Sequence, residues 1–396
     1  MIYIYEDEYF RNFLPLVYFR SVADLYCGRF TLLEKYQKLY PQEKFGLLVR
    51  PILSTLLQEK YPQIAVNNLV SDNNLSLFLS SRARLKQPID IKGDEEIFVD
   101  IHQDIVGLRV KNSRIKKIPL KTKEIRKLKL PHKEISALSM KYPWELIAYN
   151  HQELIDDFSD SGIFGQMSQQ AIILGNTNKL YIGQGAEIEP GVVIDLRDGP
   201  VYIDNNAKIL TLSKISGPAY IGKNTIIDQG KISNGTTIGE NCRVSGEVEA
   251  SILQGFVNKH HYGFLGHSYI AEWVNLGAGT TNSDLKNNYS TVKVKIGKKL
   301  IDTHQLKIGC FIGDHTKTAI GTMIPTGAVF GVFANVLAPT KSIPNFYWEK
   351  GKRWQLEKAI TTAKTVMARR NIVLSKNYEE LMRKIYKESS GKNRFH

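Results

Sequence analysis

Small β-branched residues return every six positions from about residue 180 onward, and this period constrains the fold more than any other feature of the chain. The series runs Ile182, Ile188, Ile194, then Ile203, Ile209, Ile215, Ile221, Ile227, then Ile232, Ile238, Val244. Turn-forming residues follow several of them, as in Ile182-Gly183, Ile203-Asp204, Ile221-Gly222 and Ile238-Gly239, and the pattern resumes at Ile308-Gly309, Ile312-Gly313 and Ile320-Gly321. A short flat strand ending in a tight turn needs one inward branched residue and a turn residue that tolerates positive φ. Stacked coils bury such residues as a ladder, each coil stable only against its neighbours. A sandwich strand would alternate with period two over about four to eight residues, and this segment does not. The spacing predicts a left-handed parallel β-helix of hexapeptide repeats.

The flanks read differently. Met1 to Tyr5 alternates as a strand, Val22 to Tyr40 and Leu53 to Tyr61 carry helical patterns, and Phe45–Val49, Ile64–Val66 and Leu77–Leu79 read as short strands. Strands alternating with helices indicate an α/β domain. Pro143 to Phe158 reads as a helix bridging into the repeats. After Pro344, Trp354, Leu356, Ile360, Ala363 and Met367, then Tyr378, Leu381, Met382 and Ile385, fall at helical spacing. The expected organisation is an α/β domain over 1–165, the β-helix over 166–340 and a helical extension over 341–396.

Composition narrows the function. The 396 residues carry a net charge of +14, concentrated in 111–133 and 350–394, without the interleaved aromatics of single-strand binders or a zinc-finger spacing. The bases read as solvated faces, and no nucleic-acid partner is expected. A phosphate-bearing substrate suits the sign. No apolar run reaches membrane-span length, and Glu6, Asp7 and Glu8 stand where a secretory signal would be basic and apolar. Three scattered cysteines (Cys27, Cys242, Cys310) form no disulfide framework. A cytoplasmic protein with no membrane partner is expected.

Candidate chemistry gathers where the repeat is expected to be interrupted, between Val257 and Val294. This stretch holds His260, His261 and His267, the run Asn275-Leu276-Gly277-Ala278-Gly279-Thr280, and Asn282 through Tyr289. Loops on a rigid scaffold are where sites tend to lie. Histidine titrates near pH 7 and can take a proton from an amine attacking a thioester.

These residues resemble the acetyltransferase half of the bacterial bifunctional N-acetylglucosamine-1-phosphate uridylyltransferase/glucosamine-1-phosphate acetyltransferase family. The match falls on His261, Phe264-Leu265-Gly266, Asn275 to Thr280, and Asn282. With Phe13-Leu14-Pro15-Leu16 and Phe19-Arg20, the stretch Asn282 to Tyr289 is still more similar to a branch of sugar nucleotidyltransferases. The resemblance spans nearly the whole chain and implies a nucleotidyltransferase-like α/β domain ahead of an acyltransferase β-helix. It implies His261 as the base, with Asn275 and Gly277 around the acyl carbonyl. Acetyl-CoA, or another acyl-CoA, would lie against Gly277, Ala278, Gly279, Asn282 and Tyr289. A sugar phosphate and a nucleotide would be the substrates, with Arg20 and Arg29 on phosphate, and the assembly would be a homotrimer.

Two departures from the family pattern stand out. The coil ahead of His261 reads Gly246-Glu247-Val248-Glu249, acidic where the family places a lysine. No glycine-rich loop follows the first strand, and Asp100 and Asp104 offer only a bare Asp-x-x-x-Asp for Mg²⁺. Both departures favour the alternative of a non-catalytic sugar-nucleotide-binding or scaffold protein. A metal-binding β-helix trimer, drawing on His260, His261, His267, His304 and His315, is a weaker rival, and no metal site is expected.

Overall fold

The computed structural model describes residues 1–390. The last six residues of the expected helical extension, with the end of the basic tail, lie outside the described residues. The N-terminal part is built on a mixed sheet of seven strands: β1 (Ile2–Tyr5), β2 (Phe45–Leu48), β3 (Ala65–Val66), β4 (Leu75–Ser80), β5 (Glu96–Val99), β6 (Ile105–Lys111) and β7 (His132–Glu134). Their order is β3-β2-β1-β4-β6-β5-β7, with β3, β2, β1 and β4 parallel and β6 antiparallel to both neighbours. The central strands are buried on both faces, as a parallel arrangement requires.

Helix α1 covers only Leu32–Leu39 of the helical pattern expected over Val22 to Tyr40. Gly28 at φ +85 turns a small hairpin (Tyr26–Cys27 with Phe30–Thr31) ahead of it, and Thr31 with Glu34 closes a capping box at its start. Helix α2 is Ser54–Lys60, and the bridging helix α3 spans Pro143–Asp156.

The repeats form a solenoid of parallel strands stacked coil on coil, of the left-handed β-helix type. One face has ten strands, from Gly162–Ile163 to Ser342–Ile343. Along it Ile182, Ile203, Ile221 and Ile238 stand in direct register, each fully buried. A second inward column runs Ile188, Ile209, Ile227, Val244, then Lys259. A third runs Ile194, Ile215, Ile232, Val248, Leu265.

The repeat is not interrupted where the sequence suggested. Asn258–Lys259, Phe264–Gly266, Tyr269–Ile270 and Thr281–Asn282 are all strands in regular parallel pairs. The excursion begins later, after Asn282, and carries an antiparallel hairpin of Lys293–Ile296 with Lys299–Asp302. The histidines therefore sit at corners of continuous coils, because a corner accepts residues that break the strand period.

Helices α4 (Leu356–Ala368) and α5 (Lys376–Glu388) close the chain, burying Ala359, Ile360, Ala363, Leu381 and Met382 in the core of the N-terminal domain. The domain is locked to the solenoid by polar contacts as well. Gly28 N–H donates to Asn150 Oδ1 (2.6 Å), Asn150 Nδ2 donates to the Gly235 carbonyl (2.7 Å), and Gln254 Nε2 donates to the Asp24 carbonyl (2.8 Å).

Candidate active site on the solenoid

His261 stands at the corner that follows Asn258–Lys259, with its ring exposed and in edge contact with His260 at 5.5 Å. The backbone of this corner is held from inside. Lys259 occupies the next position of the inward column after Val244, where an aliphatic residue is expected, and is 2% exposed. Its Nζ donates to the carbonyls of Ser245 (2.7 Å), Gly263 (2.7 Å) and His261 (3.4 Å). Burial pulls the ammonium down to about 8, with Glu247 opposing. Sequence reading missed this residue, although extending the Ile188–Val244 column by one coil lands on it.

The Asn-Leu-Gly-Ala-Gly-Thr run lies on the adjoining coil, at the level of the His261 corner. Asn275 Oδ1 accepts from Asn258 Nδ2 at 2.7 Å. Gly277 donates its N–H to Thr318 Oγ1 (2.9 Å), and a Cβ there would meet the Ala319 backbone at 2.7 Å. Gly279, at φ +71, lies under the Tyr262 ring. These glycines permit close stacking of coils, so the Gly277 amide is spent inside the solenoid and not aimed at a carbonyl oxygen. Asn282 is also spent: it accepts from Gly266 N–H (2.8 Å) and donates to the Gly266 carbonyl (3.0 Å), and is fully enclosed. Tyr289 is at the surface of the excursion, free to meet a ligand.

A second histidine is positioned by a carboxylate. His267 Nδ1 lies 2.7 Å from Asp284 Oδ2. Burial raises the Asp284 carboxyl, but the hydrogen bond and charge of His267, with Lys307, outweigh it and hold the group below the usual carboxylate range. The acidic coil is neutralised in place, with Glu247 on Lys231 (2.6 Å) and Glu249 facing Lys307 (3.9 Å).

The residues expected on phosphate are engaged elsewhere. Arg20 is 2% exposed and grips Asp314, which is fully buried, through both terminal guanidinium nitrogens, with Glu272 at 3.2 Å and the Leu16 carbonyl at 2.6 Å. It clamps the N-terminal domain to the solenoid. Arg29 lies over the Tyr202 ring, 3.3 Å from its centroid, capping a stack of Tyr181 on Tyr202. Behind β1, where a phosphate loop would lie, Glu6 pairs with Arg50 and Asp7 with Arg82.

Asp100 accepts from the backbone of His102 (2.9 Å) and Asp104 (3.0 Å), and Asp104 pairs with Lys141 (2.6 Å). The two carboxylates do not converge, so they do not fit a Mg²⁺ site. Of the histidines in the metal reading, His315 is buried, bonded to Tyr378 Oη at 2.9 Å and stacked on Phe333, and burial holds its pKa well below the usual range. No three His, Cys, Asp or Glu side chains gather into a ligand set among the described residues.

The chain thus joins an α/β sheet domain to a β-helix whose corner presents a histidine beside an Asn-Leu-Gly-Ala-Gly-Thr coil. Residues 2–161 match the family model described as sugar nucleotidyl transferase. The chain is similar to the bifunctional sugar-1-phosphate nucleotidylyltransferase/acetyltransferase of Sulfurisphaera tokodaii, 28% identical over 341 residues, covering 84% of this chain and 72% of that protein. It is also 30% identical over 186 residues to the bifunctional protein GlmU of Acidithiobacillus ferrooxidans, covering 44% of this chain and only 39% of that protein. The UDP-N-acetylglucosamine acyltransferase of Francisella novicida overlaps 57% of this chain and 76% of its own, at 15% identity and a TM-score of 0.32, a likeness that carries no functional weight. No helix among the described residues is long and apolar enough to cross a membrane.

Proposed function

We propose that the chain transfers an acyl group from acetyl-CoA, or another acyl-CoA, to the amine of an amino-sugar phosphate or nucleotide sugar at the His261 corner. The supporting observation is the corner itself: an exposed imidazole on a backbone braced by Lys259, beside the coil that bears Asn275 to Thr280. His261 takes the amine proton as the amine attacks the thioester carbonyl, and the thiol of the coenzyme departs with a proton. Asn275 orients the acyl carbonyl, and Ala278, Gly279 and Tyr289 flank the coenzyme arm. The exposed apolar ridge of Tyr262, Ile320 and Met323 along the same corner is suited to cover by a neighbouring solenoid, in a cytoplasmic homotrimer that closes the coenzyme site.

The family match of residues 2–161 favours a second activity, nucleotidyl transfer to a sugar 1-phosphate, in the N-terminal domain. The paired acids and arginines behind β1 favour instead a domain that binds a sugar nucleotide without turning it over. Free-thiol release from acetyl-CoA with a panel of amino-sugar phosphates tests the first reading, and His261→Ala should lower it by about 10²- to 10⁴-fold. Equal release by the variant, or none with any acceptor, refutes it. Pyrophosphate release from UTP or dTTP with sugar 1-phosphates tests the N-terminal half.

A further inference from the structure

Four successive coils place Arg243, Asn258, Asn275 and Lys317 at the same outward position of one face. At about 4.8 Å per strand, this column is roughly 14 Å long. The end of α4 and the residues just beyond it close over its upper part. Asn258, Asn275, Lys317, Val366, Arg369 and Arg370 line a cavity of about 210 Å³, with Phe256 stacked on Trp273 (4.2 Å) as the apolar wall.

No carboxylate lines this cavity. Lys317 donates only to the carbonyl of His315 (3.0 Å), and burial alone pulls its ammonium down to about 8, with no acid opposing. Arg243, one rung below Asn258, donates to the carbonyls of Asn224 (3.0 Å) and Cys242 (2.8 Å). Burial and the positive charge of Arg370 both weaken its hold on its proton. The contrast within the chain is sharp: buried Arg20, Lys35, Arg50 and Arg82 each have a carboxylate partner. Half-buried Lys317 and Arg370, with the exposed Arg369 at the rim, bring like charges together, and an anion seated between them would relieve that repulsion.

We infer that this cavity is an anion subsite for a phosphoryl or diphosphoryl group of a small-molecule ligand. Arg369 and Arg370 supply planar donor forks, Lys317 a point charge, and the second Nδ2 hydrogen of Asn258 a further donor. Pockets that enclose whole drug-sized ligands measure about 300–1,000 Å³, so this smaller cavity holds the charged part of a ligand and leaves the rest outside. Asn258 precedes His261 by three residues, a chain reach of at most about 11 Å, so a phosphate seated here tethers its ligand within reach of the imidazole. The subsite does not depend on acyl transfer occurring.

Titration calorimetry of the full chain with inorganic pyrophosphate at low ionic strength tests this. Saturable binding is expected, weakened at least tenfold in Arg369→Gln/Arg370→Gln. Lys317→Met should weaken binding by a similar factor while raising the thermal midpoint, since it removes a half-buried cation that no carboxylate compensates. His261→Ala should bind pyrophosphate as the parent does, which separates this inference from the acyl-transfer reading. No binding, binding unchanged in the double arginine variant, or a cavity sealed by a second copy's carboxylates in solution would each overturn it.

Discussion

Replacing Arg20 with Met decides between two roles for that residue. As a phosphate ligand, its loss would leave the fold intact and remove nucleotide or sugar-phosphate binding. As a clamp, its loss strands Asp314, which is fully buried, with a charge met only by backbone N–H groups, that of Glu272 at 3.2 Å and its own. Removing one member of a buried ion pair costs about 3–5 kcal/mol. At about 2–4 °C per kcal/mol for a unit of 150–250 residues, the thermal midpoint of the solenoid should fall by roughly 6–20 °C. Asp314→Asn in the Arg20→Met background removes the charge but keeps an acceptor for those N–H groups, and should restore about half of the loss. Burial pushes the Asp314 carboxyl up to about 6 against the pull of Arg20. Its folded pKa thus lies above the unfolded one, so protonation favours the folded state. The deficit of Arg20→Met should therefore narrow as pH falls from 7 to 5, where a proton replaces the guanidinium. Calorimetric melts of the three proteins across that range measure this. An Arg20→Met protein that melts with the parent at pH 7 would falsify the clamp and return Arg20 to the ligand.

The Asn282 side chain answers both backbone groups of Gly266 on the neighbouring coil, so Asn282→Ala should destabilise by roughly 2–4 kcal/mol and leave the KM for acetyl-CoA unchanged. A stable variant with a raised KM would assign it to the coenzyme after all. Asp284 has a folded pKa below its unfolded one, so its contribution is complete above the ordinary carboxylate pKa of about 4 and is lost as pH falls through the lower folded value. Asp284→Asn should melt below the parent at pH 7 by about 1–2 kcal/mol in stability, with the gap closing toward pH 3. A gap constant over that range would mean that His267 does not depend on the carboxylate.

What was legible in the sequence follows from the range of the interactions involved. The ladder Ile182–Ile203–Ile221–Ile238 writes itself into the chain as a period, because each coil repeats one local geometry. The excursion after Asn282 was misplaced upstream because corner residues such as His260 and His261 break the period without breaking the coil. Arg20 meets Asp314 across 294 residues, and no local pattern announces that pairing. A buried clamp and a phosphate ligand both look like one arginine beside apolar residues. Asn282 misled for a related reason: a motif match fixes residue identity, whereas its amide is directed by the coil on which Gly266 sits.

The solenoid also explains why its exceptions are informative. In a stack where every inward position of a column asks for a small aliphatic side chain, Lys259 breaks the rule at the coil that presents His261. The outward column breaks a different rule at the same level, collecting half-buried Arg243 and Lys317 without acids, whereas buried Arg20, Arg50 and Arg82 are each matched by a carboxylate. Random drift would scatter such departures over coils. Their coincidence on one face and neighbouring coils places the violations of local consistency where a ligand's charge and a reacting amine would both be needed. If Lys259→Leu left acyl transfer untouched while Lys317→Met abolished pyrophosphate binding, the two exceptions would be unrelated, and the corner would have to position its histidine without help from within.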